Sequence, residues 1–184
     1  MGRLVFALAS LLLVSCDRVP EGGRFERTRA PMPLGLFLSD QRLELPWTPL
    51  SFAGKHSWCF ANLSFSGSQA WVVLEVSART PFDPRHVGGQ ASVEVTDSSG
   101  RVAFHASGEL KDPCCGASSG TWASQYFHYS KSPDRDSKVF YEREPGMKAK
   151  IGSFGEYCVA LNVSAPPTTT ESANARVVMI SGWK

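Results

Sequence analysis

Short hydrophobic stretches that alternate with polar positions recur along the chain from residue 34 onward. Val, Phe, Trp and Tyr are frequent in them, and no window repeats with the period of 3.6 residues that marks an amphipathic helix. Gly, Ser, Pro and Asp separate the stretches, as turn residues do. The pattern predicts strands at 34–38, 42–45, 56–65, 69–78, 90–96, 101–107, 137–141, 147–151, 156–163 and 175–183.

One pair of predicted strands forms a hairpin, because Asp97-Ser98-Ser99-Gly100 between 90–96 and 101–107 has the composition of a tight turn. Strict alternation predicts that the core-facing side chains of this hairpin are Ala91, Val93, Val95, Val102, Phe104 and Ala106. Residues 72–76, VVLEV, are apolar on nearly both faces, which indicates a central strand. Residues 108–136 match no element well and are interpreted as a long loop.

Many short strands with turn signals predict an all-β fold, a single antiparallel β-sandwich such as a jelly roll. Composition agrees, since the 184 residues are 42% hydrophobic and 20% charged, as in a globular chain. The formal net charge is only +2. Proteins that bind nucleic acids usually carry a strong positive charge, so we predict no nucleic-acid partner.

The first residues, MGRLVFALASLLLVSC, have the organisation of a secretory signal. Their apolar part, residues 4–14, is shorter than the roughly 20 residues that span a bilayer. Leu13-Val14-Ser15-Cys16 resembles the lipobox of bacterial lipoproteins. The resemblance implies removal of residues 1–15, diacylglycerol on the Cys16 sulfur and a further acyl chain, such as palmitate, on its amine. A plain secretory signal and an uncleaved anchor are the alternatives.

The residues after Cys16 suggest where the protein lies in the bacterial cell envelope. Asp17 resembles the signal that keeps lipoproteins in the inner membrane. Residues 16–33 are rich in proline, glycine and charge, and they predict a flexible tether with a reach of ~55–60 Å. The alternative places Phe25 and Met32 in contact with the domain. The predicted organisation is a signal peptide at 1–15, a lipidated tether at 16–33 and the sandwich at 34–184.

Five cysteines are present, and lipidation of Cys16 would leave an even set in an exported chain, where disulfides form. Cys59-Phe60 comes first, the turn at 97–100 follows, and Gly155-Glu156-Tyr157 then precedes Cys158 directly. This order resembles the GOLD domain of the p24/emp24 cargo receptors over residues 56–163. The chain departs from that family in one spacing, since the family has its late cysteine three residues after the tyrosine.

The resemblance implies a β-sandwich in which Cys59 is bonded to Cys158. Cys114 and Cys115 would then form a vicinal disulfide or remain thiols. The alternative pairing bonds the 114–115 element to both Cys59 and Cys158, and the sequence leaves the two arrangements open.

Few residues suggest catalysis. Gly116-Ala117-Ser118-Ser119-Gly120 matches the G-x-S-x-G pattern of serine hydrolases, but the strand-turn-helix setting of that nucleophile is missing around Ser118. Cys114 or Cys115 with His128 lacks the spacing of redox motifs. The four histidines have no metal-ligand spacing, and the loop aspartates do not form a calcium motif. We therefore predict a non-enzymatic protein with no metal and no cofactor.

Aromatic residues in the weakly assigned region suggest binding instead. Trp122, Tyr126 and Tyr129 could form a platform for a sugar ring or a partner protein, because flat rings give large contact area at low entropy cost. The predicted function is a membrane-anchored envelope lipoprotein that binds a partner protein. The alternatives are a carbohydrate- or peptidoglycan-binding module that uses these aromatics and, more remotely, a hydrolase at Ser118.

Overall fold

The computed structural model describes residues 17–29, 39–78, 89–110, 125–129, 148–152, 155–166 and 173–182. Within them the backbone forms strands and a short 3-10 turn at Ser66–Ser68. The strands are β1 (Arg24–Arg29), β2 (Ser39–Glu44), β3 (Thr48–Pro49), β4 (Gly54–Ala61), β5 (Gln69–Ala78), β6 (Gln90–Asp97), β7 (Val102–Glu109), β8 (Gln125–Tyr129), β9 (Lys148–Lys150), β10 (Glu156–Ala165) and β11 (Ala173–Ser181).

These strands form two sheets. The larger sheet has seven strands, of which β1, β2, β11, β5 and β8 are neighbours in that order, while β3 also pairs with β11 and β9 with β5. The smaller sheet has four strands in the order β4, β10, β6, β7. The pairs of named strands are antiparallel except β5 with β8, which is parallel. The predicted all-β sandwich is confirmed.

The core lies between the two sheets because each strand directs alternate apolar side chains toward the opposite sheet. The larger sheet contributes, among others, Leu43, Ala70, Val72, Leu74, Ala175, Val177 and Met179. The smaller sheet contributes Phe60, Ala91, Val93, Val95, Phe104, Val159, Leu161 and Val163. Each sheet therefore has an inner face, which lines this core, and an outer face, which is turned away from it.

Residues 17–29 belong to the sandwich, so the prediction of a flexible tether is wrong for this stretch. β1 pairs with β2 along its whole length. Phe25 packs against the core, and its ring meets the ring of Phe65 edge-on at a centroid distance of 5.8 Å. Most of β1 is charged, which suits its position at the end of the sheet, because charged side chains on an edge strand discourage pairing with another chain. Met32 lies outside the described residues.

The predicted hairpin is present as β6 and β7. Its predicted core residues Ala91, Val93, Val95, Phe104 and Ala106 are buried. Val102 is 52% exposed, so the prediction is wrong for this residue. The register between the two strands shifts at the start of β7, and this bulge brings Ala103 against the core in place of Val102.

The predicted and observed strand positions agree best where the sequence is most apolar. The prediction for residues 69–78 coincides with β5, and the expected central position holds, since β5 lies between β11 and β8. β8 was not predicted, because it lies in residues 108–136, which the sequence indicated as a loop. The predicted strands at 34–38 and 137–141 and the signal peptide lie outside the described residues.

Candidate functional site

Cys59 and Cys158 form a disulfide between neighbouring strands of the smaller sheet. The two residues are directly opposite one another in the β4–β10 register, with Cα atoms 4.0 Å apart. Their side chains alternate with the core residues Phe60 and Val159, so the bond lies on the outer face.

This bond fixes one of the two pairings that the sequence left open. Because Cys59 and Cys158 are bonded to one another, neither can be bonded to Cys114 or Cys115. The alternative pairing is therefore wrong. Cys114 and Cys115 lie outside the described residues, and so does Cys16.

A closed ring of four charged side chains lies on the outer face of the larger sheet. Arg42 donates from Nε to Glu44 Oε1 at 2.6 Å and from Nη2 to Glu75 Oε1 at 2.7 Å. Arg176 donates from Nε to Glu75 Oε2 at 2.6 Å and from Nη1 to Glu44 Oε2 at 2.7 Å. Each arginine therefore bridges both glutamates, and each carboxylate oxygen accepts from one arginine.

Two members of the charge ring are buried although they lie outside the main core, while Arg42 and Glu44 keep 22% and 17% of their side chains exposed. Glu75 has no exposed surface and Arg176 is 6% exposed. The Arg176 guanidinium also lies against the Trp47 ring, with Cζ 4.5 Å from the ring centroid. Burial by itself lowers the pKa of Arg42, but hydrogen bonds and Coulomb attraction from Glu44 and Glu75 outweigh it and raise that pKa above its ordinary value.

This geometry favours a structural role for the ring. A general acid or base needs a carboxyl group that can exchange a proton with a substrate, whereas both carboxylates here are held by two arginines. The ring instead ties together the adjacent strands β2, β11 and β5. A slip of one residue in any of them would turn its charged side chains into the core, so the ring helps to specify the register.

Sequence reasoning missed the charge ring, although it left a signal. Glu75 stands within the apolar run VVLEV, Arg176 within ARVVMI, and Arg42 and Glu44 flank Leu43. Charged residues at alternate positions of apolar strands indicate a polar feature on one face. Their mutual pairing could not be predicted, because it depends on β11 lying between β2 and β5.

The Gly155-Glu156-Tyr157 motif forms a packing unit in the structure. The Tyr157 ring stacks on the Phe60 ring at a centroid distance of 5.7 Å, and its hydroxyl accepts a hydrogen bond from the Gly152 N–H at 2.7 Å. A Cβ atom at Gly155 would lie 2.6 Å from Tyr157 Cε2. The glycine therefore makes room for the ring of the tyrosine.

Half of the four residues proposed from sequence for binding or catalysis lie outside the described part of the chain. These are Ser118 and Trp122, so the hydrolase at Ser118 remains a prediction. Tyr126 and Tyr129 are in β8, where their backbones pair with Glu75 and Ala78 of β5. The sugar-binding platform also remains a prediction, because these positions alone do not define a surface.

The histidines within the described ranges lie apart from one another. His56 in β4 stacks on Trp58, with ring centroids 6.1 Å apart. His105 in β7 has Nδ1 3.6 Å from Glu94 Oε2 on the outer face of the smaller sheet. Among residues whose placement the structure gives, no three His, Cys, Asp or Glu side chains are grouped so as to hold a metal ion.

The N-terminal corner of the sandwich is defined by Arg18. Its N–H donates to the Ala61 carbonyl at 3.0 Å, and the Ala61 N–H donates to the Arg18 carbonyl at 3.0 Å, which forms an antiparallel bridge beside β4. The Arg18 guanidinium pairs with the Glu156 carboxylate at the start of β10. Val19 packs against the core. The chain is therefore attached to the sandwich at Arg18 and Val19.

Within the stretches that the structure describes, no helix has the length and apolar character needed to cross a bilayer. Comparison of the chain with protein-family models, with curated proteins and with solved structures finds no significant match.

Proposed function

We propose that the protein is a bacterial envelope lipoprotein, anchored by acyl chains on Cys16, whose β-sandwich binds a partner protein. The observation that carries the proposal is Leu13-Val14-Ser15-Cys16 at the end of an apolar stretch of signal length. The Cys59–Cys158 disulfide supports it, because such bonds persist in exported proteins and are rare in the cytosol. Asp17 favours the inner membrane as the destination.

A binding role, rather than catalysis, is supported by two features of the sandwich. The buried charged groups of the larger sheet neutralise one another in a closed ring. Phe52 is 75% exposed in the loop that leads into β4, at the end of that strand opposite Arg18. An exposed aromatic ring away from the anchor is suited to the centre of a protein interface, where aromatic side chains carry much of the binding energy.

The lipid anchor is tested by metabolic labelling of cells with palmitate. We expect the wild-type protein to take up the label and Cys16→Ala to take up none, because the thioether sulfur is missing. Ser10→Ala is the matched control, since it changes the apolar stretch and leaves the four lipobox residues intact. Label in Cys16→Ala would contradict the proposed anchor.

The partner is tested by a photo-reactive amino acid placed at Phe52 in living cells, with the same amino acid at the exposed Ser57 on the outer face of β4 as control. We expect one discrete protein adduct from position 52 that position 57 does not give. The adduct should disappear when Cys16→Ala removes the anchor. Equal adducts at both positions, or none at position 52, would contradict a partner at this end.

A further inference from the structure

We propose that the sandwich lies directly against the bilayer, with the end of the smaller sheet at Ala61 and Glu156 facing the lipid headgroups. The inference rests on the proposed lipid anchor at Cys16. The domain would then contact the membrane instead of standing away from it on a long tether.

The distance between the anchor and the folded domain is short. Arg18 is held by two backbone hydrogen bonds to Ala61 and by its ion pair with Glu156. Cys16 is two residues before it in the sequence. Two residues of fully extended chain span about 7 Å, so acyl chains on Cys16 would bring this corner of the sandwich to the headgroup region.

The direction of the chain selects which end of the sandwich faces the membrane. The bridge between Arg18 and Ala61 is antiparallel. Followed backward from Arg18 toward Asp17, the chain therefore continues in the direction in which β4 runs and passes beyond Ala61. The anchor would leave the domain at the carboxyl end of β4.

The neighbouring strands of the smaller sheet bring further groups to the same end. β10 begins at Glu156, β6 ends at Asp97 and β7 begins at Val102, so these residues lie side by side over about 10 Å, two strand spacings. Arg18 is paired with Glu156, and Asp97 is paired with Arg101.

Paired charges make this end suitable for a membrane surface. The two ion pairs carry no net charge and the exposed Asp17 adds one negative charge, so anionic headgroups repel this end of the sheet only weakly. Val102 adds an exposed apolar side chain, with 52% of its surface accessible. The acyl chains then provide the attachment, and this end of the sheet provides a compatible contact.

The opposite end of the sandwich offers a matched reference position. β4 runs from Gly54 to Ala61, a length of roughly 23 Å. Ser51 lies just before β4, whereas Ser98 lies in the β6–β7 turn next to Asp97, and both serines are exposed. The two positions therefore differ in their expected distance from the membrane and are alike in residue type and exposure.

The experiment uses the full-length protein, extracted from palmitate-labelled cells and reconstituted in phosphatidylethanolamine–phosphatidylglycerol vesicles that contain an acceptor-labelled lipid. A fluorescent amino acid replaces Ser98 or Ser51, and energy transfer to the acceptor lipid is measured. We expect higher transfer from position 98 than from position 51. A flexible Gly-Ser segment of about 20 residues inserted after Asp17 should abolish that difference, because it would release the domain from the surface.

The possible outcomes separate the inference from the proposal on which it rests. A protein that carries no palmitate overturns the lipid anchor and the inference with it. A palmitoylated protein with equal transfer from both positions, or with higher transfer from position 51, overturns the membrane-facing orientation alone. An insertion variant that keeps the full difference also overturns it, since the short connection would then not be its cause.

Discussion

At the scale of single residues, Glu75 shows how a charge is accommodated on a buried strand. Its carboxylate has no exposed surface, and both of its oxygens accept hydrogen bonds from arginines. Removing one member of such a pair leaves uncompensated charge in a poorly solvated place, which is costly. Breaking the exposed pair of Glu94 and His105 costs much less, because water solvates either partner when the other is absent.

We expect Glu75→Gln to lower the free energy of unfolding by about 3–5 kcal/mol, because the buried Arg176 and the partly buried Arg42 would lose half of their negative partners. Glu94→Gln is the matched control and should change the free energy by less than about 1 kcal/mol. Urea-induced unfolding measures both. Equal effects of the two substitutions would contradict the role assigned to the charge ring.

Gly155 and Tyr157 show a requirement for space at a single position. A Cβ atom at Gly155 would approach Tyr157 Cε2 to 2.6 Å, whereas a Cβ atom at Gly54 would meet no atom within 4 Å. We expect Gly155→Ala to lower the free energy of unfolding by about 1–3 kcal/mol, since the stacked ring must move. Gly54→Ala should be nearly neutral in the same chemical unfolding experiment. If Gly155→Ala did not change the free energy of unfolding, the Tyr157 ring would not be tightly held, which would contradict this role of Gly155.

At the scale of elements, the turn between β6 and β7 is organised by the Asp97 side chain. Oδ1 accepts hydrogen bonds from the Ser99 hydroxyl at 2.6 Å and from the backbone N–H groups of Ser99 and Arg101, both at 3.0 Å. The Ser99 hydroxyl is the main reason that the pKa of Asp97 is lowered from its ordinary value of 3.8. The charged carboxylate therefore stabilises the hairpin.

The stability of the protein should depend on pH through Asp97, and the lowered pKa of its carboxyl group gives the direction of that dependence. The stabilising contribution of Asp97 is complete above the ordinary value of 3.8 and is lost as the pH falls through the lower pKa of the folded state. Asp97→Asn cannot make this contribution. The difference in melting temperature between wild type and Asp97→Asn should be constant near neutral pH and shrink below 3.8. A difference that grows on acidification would contradict the assigned hydrogen bonds.

The elements also show what the sequence can predict. The sequence predicts β5 and β10 because hydrophobic residues fill most positions of β5 and every second position in much of β10. β1 was missed because RFERTR contributes only Phe25 to the core and resembles a linker. The exposure of Val102 was missed because a bulge depends on how two strands pair. The disulfide was implied by a resemblance, whereas the charge ring depends on strand order and could not be read from any one segment.

At the scale of the whole molecule, the disulfide joins positions that are 99 residues apart in the sequence. Closing a loop of this length restricts the unfolded chain and stabilises the folded state by about 4–5 kcal/mol in the chain-entropy description. The bond also reinforces the pairing of β4 with β10. β4 is the last strand of its sheet, and its other side bridges to Arg18.

We expect the double substitution of Cys59 and Cys158 by alanine to lower the free energy of unfolding by about 4 kcal/mol. Reductant should destabilise the wild type far more than the double variant, which lacks the bond that closes the long loop. Ser57→Ala, on the same outer face of β4, is the control and should change stability by less than about 0.5 kcal/mol. Guanidinium unfolding followed by tryptophan fluorescence measures these effects, and a wild type insensitive to reductant would contradict the bond.

The lipid anchor and the membrane-facing orientation both depend on the chemical state of Cys16, and intact-mass spectrometry of the protein extracted from membranes measures it directly. We expect a chain that begins at Cys16 and carries the added mass of a diacylglycerol group, with a further acyl chain where the amine is modified. A chain that begins elsewhere, or an unmodified Cys16, would contradict the lipid anchor and the membrane-facing sandwich together.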